Sequence, residues 1–151
     1  MERINSIEQL DSLRESLQQA KESDRQVVRV CFGPGCLAQG ADKIAEAFRE
    51  TVRKQGLSVE IEPLIKETGC HGFCSEGPLV TIAPSGFFYS RVKPDDVEEI
   101  VDKTIKNNQV ISRLLYSENG TEYKSAKEIP FYKMQKKIVT HNLGDIDPLR
   151  I

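Results

Sequence analysis

The residues in this chain whose type and spacing could do chemistry are four cysteines in two close pairs. Cys31 and Cys36 bracket four residues, Cys70 and Cys74 bracket three, and 33 residues separate the pairs. Thiol–disulfide exchange needs two sulfurs on one turn, normally C-x-x-C opening a helix, and neither pair has that spacing. Haem attachment needs C-x-x-C-H, which is absent. A Rieske centre takes two histidines on one iron. His71 and His141 are the only histidines, and only His71 adjoins a cysteine. The plant-type ferredoxin run, C-x4-C-x2-C, is not met either. Two chemistries remain open on spacing alone. Four thiolates could hold tetrahedral zinc, because C-x2–4-C admits both pairs. They could equally hold a two-iron cluster, each pair chelating one iron.

The elements around the cysteines set where they would stand. Residues 1–22 are predicted helical, with Ser6 and Gln9 as a capping box and Ile7, Leu10, Leu13, Leu17 and Ala20 on one face. The β-branched run Gln26–Cys31 reads as a buried strand, and Phe32-Gly-Pro-Gly-Cys36 as a glycine-rich turn. A second helix is expected over 40–54, with Ile44, Phe48 and Val52 spaced four apart and Gly56 as its stop. Leu57, Val59 and Ile61 alternate with polar residues, which predicts a strand before the loop of Cys70 and Cys74. Leu79–Ile82 and Phe87–Tyr89 read as a hairpin turning at residues 83–86. A third helix begins near Pro94, with Asp95 and Asp96 in its first turn and Val97, Ile100, Val101, Thr104 and Ile105 on its apolar face.

The order is an N-terminal helix followed by β-α-β, loop, β-β-α, the layout of an α/β, thioredoxin-like sheet. Such a layout indicates a fold and leaves the chemistry to be argued from the site. Three regions are expected: an N-terminal helix over 1–24, the thioredoxin-like domain over 25–106, and a C-terminal extension over 107–151. In the extension Val110, Ile111, Leu114 and Leu115 could prolong a helix, but Asn119-Gly120, Pro130 and Pro148 interrupt the remainder. It shows no clear period, carries Lys133, Lys136 and Lys137, and is read as an irregular segment in need of a partner surface.

A core predicted from three helices and four strands is adequate without a metal, whereas zinc tetrathiolates typically staple domains too small to fold otherwise. An anionic cluster needs donors aimed at its sulfurs. Gly33, Gly35, Gly69, Gly72 and Gly77 let the backbone approach closely and turn N–H groups inward. Together they favour iron and sulfide over zinc. Composition adds exclusions. The net charge of −2 comes from 23 acidic and 21 basic side chains, well mixed, with no basic stripe for nucleic acid or an anionic membrane. No apolar run is long enough to span a bilayer, and MERINSIEQL lacks the layout of a signal peptide. A cytoplasmic protein is the expectation, and clustered cysteines in a reducing compartment are metal or redox groups more often than disulfides.

Cys31-FGPG-Cys36-LAQGA and Cys70-HGF-Cys74-SEGPLV resemble the motifs of thioredoxin-like 2Fe–2S ferredoxins. They are most similar to the N-terminal domain of the flavin-carrying, NADH-dehydrogenase-like subunit of NAD(P)-linked hydrogenases and formate dehydrogenases, some of them electron-bifurcating. The ferredoxin-like subunit of respiratory complex I is a more distant likeness. The resemblance continues through YSRVKPDDVEEIVDKTI (89–105), SRLLY (112–116), EIPFYKMQKKIV (128–139) and LGDIDP (143–148), so that it spans roughly 27–148. It implies a 2Fe–2S cluster on Cys31, Cys36, Cys70 and Cys74 that transfers single electrons. The implied partners are a flavin- and NAD(P)H-binding domain or subunit and other iron–sulfur subunits, or a second copy of the chain in a homodimer. The sequence stops where the flavin domain would begin, and it has no glycine-rich nucleotide loop and no further cysteines for a 4Fe–4S cluster. No complete enzymatic active site is therefore expected, and no residue is assigned to hydride or hydrogen chemistry. A structural zinc or docking module and a redox sensor are the alternatives. His71, between two cysteines, either faces solvent or couples cluster reduction to protonation. Phe32, Phe73, Phe87 and Phe88 are expected to serve the core or a docking surface rather than to conduct electrons.

Overall fold

Alternating burial along two short strands organises the molecule, a computed structural model that describes residues 4–21, 26–57 and 64–141. Strand β1 (Val27–Cys31) buries Val28 and Val30 completely and ends on the first cysteine. It pairs in parallel with β2 (Leu64–Thr68), Cys31 facing Thr68, and antiparallel with β3 (Val80–Ala83) on its other side. Strand β3 turns back into β4 (Phe87–Tyr89), which gives the sheet order β2-β1-β3-β4. The predicted hairpin is therefore present, and Gly86 supplies the positive φ of 76° that its turn requires. Of the alternating residues expected to form a strand, Leu57 is coil and packs against the core, and Val59 and Ile61 lie outside the described residues; the pairing with β1 falls on Leu64–Thr68, which the alternation does not mark. Parallel registry with β1 decides this, and no local periodicity reports it.

Numbering helices in chain order, α1 is Ile7–Lys21, α2 is Pro34–Ala38 and α3 is Ala41–Gln55. Helix α3 buries Ile44, Phe48 and Val52 on the sheet and stops at left-handed Gly56, as expected. The run expected near Pro94 is continuous: a 3-10 turn (Pro94–Asp96), an α-helical turn α4 (Val97–Glu99) and a π-helical turn (Ile100–Ile105). Val97, Ile100, Val101, Thr104 and Ile105 are all buried. Asp96 Oδ2 accepts from the Lys93 N–H at 2.8 Å, so the carboxylate sits on the donors of the first turn. Helix α1 forms with its expected capping residues, and its apolar face is exposed. Gln9 N–H donates to Ser6 Oγ at 3.2 Å while the Gln9 side chain accepts from Asn5 N–H, and Ile7, Leu10 and Leu13 are 74, 52 and 42% exposed. Its apolar face is thus uncovered. The side chains of Leu17 and Ala20 lie outside the described residues.

The C-terminal segment is more regular than its sequence suggests. Strands β5 (Tyr116–Glu118) and β6 (Thr121–Tyr123) form a second hairpin. Asn119 and Gly120 both have positive φ, 52° and 79°, as a two-residue hairpin turn requires. This segment runs along the open edge of β4: Ser90 N–H donates to the Leu114 carbonyl at 2.9 Å and Phe88 N–H to the Lys124 carbonyl at 2.8 Å. An otherwise unpaired sheet edge is covered in this way. Ile111, Leu114, Leu115 and Ile129 enter the same core as the sheet, so the surface this segment needs is supplied by its own domain. A short helix, α5 (Pro130–Lys133), closes it. The 143–148 motif lies outside the described residues, and no described helix is long and apolar enough to cross a membrane.

Candidate metal centre

Each cysteine is placed by a different element. Cys31 ends β1, where its N–H donates to the Leu79 carbonyl at 3.0 Å, and the next residue, Phe32, donates to the Thr68 carbonyl at 2.7 Å. The expected glycine-rich turn then becomes α2, with Pro34 at its start and Cys36 in its first turn. Gly33 accepts at its carbonyl from Cys36 and Leu37, at 2.9 and 3.0 Å. Cys31 and Cys36 are buried. Cys70 and Cys74 are exposed, on the loop after β2, and Cys74 opens a 3-10 turn over Cys74–Glu76.

Cys70 Sγ and Cys74 Sγ are 3.9 Å apart, and Cys31 Sγ donates to the carbonyl of Gly69, the residue before Cys70, at 3.8 Å. The two loops interlock through glycine. A Cβ on Gly33 would stand 2.8 Å from both Cβ and Sγ of Cys70, and one on Gly35 would stand 3.1 Å from Cβ of Cys74. One on Gly77 would stand 2.9 Å from Cys36 Sγ. Glycine is required at these places for space rather than for backbone angles, since none has a positive φ. Gly72 is the exception: its φ is 80°, and its N–H donates to Cys70 Sγ at 3.3 Å.

Gln39 straps the loops together, donating from Nε2 to the Gly35 carbonyl at 2.9 Å and to the Cys74 carbonyl at 3.3 Å. It was missed in the sequence, although its place in the loop after Cys36 was a usable sign. Burial pushes the Cys36 thiol up to about 12, helped by the Cys31 thiol bonded to it and offset in part by a backbone hydrogen bond at Leu79. The Cys74 thiol is also raised, first by its bond to Cys70. These sulfurs keep their protons unless a metal displaces them.

His71 does not face solvent. It is half-buried, its Nε2 is 3.4 Å from Thr68 Oγ1, and burial, followed by Lys137 and Arg29, holds its pKa down to about 4. The imidazole is neutral around pH 7. His141 is exposed. Phe88 is fully buried, and Phe32, Phe73 and Phe87 pack against the core. Phe73, inside the second cysteine loop, stacks on Phe131 of α5 at 4.6 Å and 12° and meets Tyr132 edge-on at 5.7 Å. Lys133, Lys136 and Lys137 are exposed, and Lys137 Nζ lies 5.3 Å over the Tyr132 ring.

Among the described residues no group of three or more His, Cys, Asp or Glu is arranged to hold one metal ion. What the chain presents is two cysteine pairs on two glycine-lined loops.

Residues 16–105 match the thioredoxin-like [2Fe-2S] ferredoxin family. A 2Fe–2S ferredoxin of Clostridium pasteurianum is 42% identical over 79 residues, which cover 52% of this chain and 76% of that protein. One of Aquifex aeolicus is 35% identical over 82 residues, 54% of this chain and 73% of that one. The crystal structure of a wild-type thioredoxin-like [2Fe-2S] ferredoxin from Aquifex aeolicus superposes with a TM-score of 0.56 at 32% identity, covering 63% of this chain and 99% of the other. The chain belongs to the thioredoxin-like [2Fe-2S] ferredoxin family, with the fold anticipated from its element order. Its cofactor is a 2Fe–2S cluster and its work is electron transfer. The match ends at residue 105, so β5, β6 and α5 lie beyond it.

Proposed function

We propose that Cys31, Cys36, Cys70 and Cys74 ligate the cluster, one iron to each pair, and that the chain is the electron-relay domain of a larger NAD(P)-linked hydrogenase or dehydrogenase assembly. The observation that carries the ligand assignment is the interlocking of the two cysteine loops, with Gly33 and Gly35 against Cys70 and Cys74, Gly77 against Cys36 Sγ, and Cys31 Sγ on the Gly69 carbonyl. Bound there, the cluster supplies reversible one-electron chemistry. The protein's part is to hold the thiolates, donate hydrogen bonds such as Gly72 N–H to Cys70 Sγ, and bury the Cys31–Cys36 side. The assembly rests on the resemblance that runs on past the family match into 112–116 and 128–139. Its partners are a flavin- and NAD(P)H-binding domain or subunit and further iron–sulfur subunits.

Anaerobic purification followed by iron, sulfide and zinc analysis, with electron paramagnetic resonance after reduction, tests the ligands. About two irons and two sulfides per chain with a spin-half signal are expected, and both are lost when any one of the four cysteines becomes alanine. One zinc without sulfide refutes the assignment. The assembly is tested by mixing with a flavin-carrying subunit: NAD(P)H should reduce the cluster only in its presence, and failure with both nicotinamides counts against it.

A further inference from the structure

The C-terminal segment brings a polar group to the cysteine site that the four ligands do not account for. Tyr132, in α5, has a hydroxyl cut off from solvent and without a hydrogen-bond partner. Buried hydroxyls are nearly always bonded, and one left over marks a missing partner. The ring is firmly held. Ile129, wholly buried just before α5, accepts at its carbonyl from Tyr132 N–H at 3.0 Å. Phe88, Phe73 and Phe131 all meet the Tyr132 ring edge-on, at 5.7, 5.7 and 5.2 Å, and Lys137 covers it at 5.3 Å. Phe73 belongs to the Cys70–Cys74 loop, so the contact ties α5 to the second cysteine pair. After burial itself, all four cysteines in turn act electrostatically on the phenol and disfavour its ionisation. The buried hydroxyl lacks an acceptor, and the ring that carries it packs on Phe73, the residue just before Cys74 in the second cysteine loop.

We propose that Tyr132 donates its O–H hydrogen bond to a sulfur of the cluster site, so that the C-terminal segment sets the reduction potential of the centre it covers. This rests on the ligand reading above. The phenol keeps its proton throughout. A donor to sulfur stabilises the reduced, more negative state more than the oxidised one, and so raises the potential. The residue positions charge and touches no substrate. Two glycine-lined loops suffice for holding a cluster, and Tyr132 adds control over how readily it accepts an electron.

The test is a redox titration of the holoprotein followed by electron paramagnetic resonance, with iron and sulfide measured in parallel. Tyr132→Phe keeps the ring and its packing while removing the donor. Its reduction equilibrium should shift about tenfold toward the oxidised form, a midpoint about 59 mV lower for one electron, at wild-type iron and sulfide content. Tyr116→Phe, which removes a hydroxyl from the same aromatic group, should leave the potential unchanged. Fluorotyrosine at position 132 is a stronger donor of the same shape and should move the potential upward. An unchanged potential in Tyr132→Phe with a full cluster overturns the proposal, for the hydroxyl then bonds elsewhere. Should Tyr132→Phe fail to retain a cluster, the fluorotyrosine protein decides: an unmoved potential there overturns it as well. Wild-type protein with zinc and no sulfide would instead refute the ligand reading beneath it.

Discussion

Gly33→Ala isolates the demand that the site makes on space. Gly33 has φ −61° and ψ 153°, angles that alanine adopts freely, so the substitution adds a methyl and no backbone strain. That methyl would stand 2.8 Å from Cβ and Sγ of Cys70 and 3.1 Å from its Cα. Reaching an ordinary 3.4 Å requires the two loops to part by about 0.6 Å, and the obstructing atoms include backbone, which yields less readily than a side-chain tip. Overpacking of this kind costs about 1–3 kcal/mol, and the loss of glycine's unfolded-state freedom returns about 0.4–1 kcal/mol. A net destabilisation of about 0–2.6 kcal/mol follows, a fall of at most several degrees in melting temperature for a chain of this size. The larger effect falls on the cofactor, because the displaced group is Cys70 itself. Iron and sulfide content, visible absorption and the half-life of the cluster under a chelator should all drop, while far-ultraviolet circular dichroism of the apoprotein stays as in wild type. Gly120→Ala is the counterpart. Its φ is 79° and nothing lies within 4 Å of an added Cβ, so it costs backbone strain of about 1–2 kcal/mol and leaves the cluster intact. Gly33→Ala with wild-type iron, sulfide and chelator half-life would refute the reasoning that these glycines exist to let the loops interlock.

Two further outcomes follow from the same packing and chemistry. Ile129→Ala empties a fully buried position in the C-terminal segment and should destabilise the whole domain by about 2–5 kcal/mol in a single cooperative denaturant transition; a change below about 0.5 kcal/mol would mean the segment is not part of the core. Reconstitution should depend on pH through Cys36 and Cys74. Both thiols lie above their ordinary range in the metal-free protein, so below that range they hold protons that binding must displace. The apparent affinity therefore rises with pH, by about tenfold per unit for each proton displaced, and proton release on adding ferrous iron and sulfide, read with an indicator dye, should exceed the one proton that each hydrosulfide gives up on becoming a bridging sulfide. Reconstitution with no release beyond that from hydrosulfide would show thiolates already formed.

The parts of the fold legible in the sequence were those that local pattern decides. The buried run ending in Cys31, the helix whose Ile44, Phe48 and Val52 share a face, and the hairpin around Gly86 each carry their period and their stop within a few residues. What escaped was set by distant partners. The alternation through Leu57, Val59 and Ile61 is a genuine strand signal, yet the ladder opposite β1 fell on Leu64–Thr68, because Cys31 pairs with Thr68 and that register reaches across α3. Asn119-Gly120 was read as an interruption. Flanked by Tyr116 and Tyr123, which stack at 6.0 Å across the two strands, it is the strongest short hairpin signal in the chain. The apolar stripe of α1 marked the helix and no more, since a helical period reports an amphipathic face without saying that the face is covered.

The candidate site was legible for the same reason in one half and hidden in the other. Ligand chemistry is written in residue type and spacing, and glycines beside cysteines mark close approach even before it is known what approaches what. The pairing across loops, Gly33 against Cys70, Gly35 against Cys74 and Gly77 against Cys36, exists only in the fold. So does the path by which Tyr132, 58 residues after the last cysteine, arrives against Phe73 of the second cysteine loop. It arrives because the segment from Ile111 to Ile129 has to finish the β4 edge and the core before α5 can form. A ferredoxin sheet that recruits its cover from beyond the family's own boundary can vary that cover without disturbing the thiolates. Control of potential and retention of the cluster are then carried by different stretches of the chain. Gly33→Ala should strip the cluster from the site, and Tyr132→Phe should leave it in place at a lower potential; a single phenotype from both would mean the two roles are not separable.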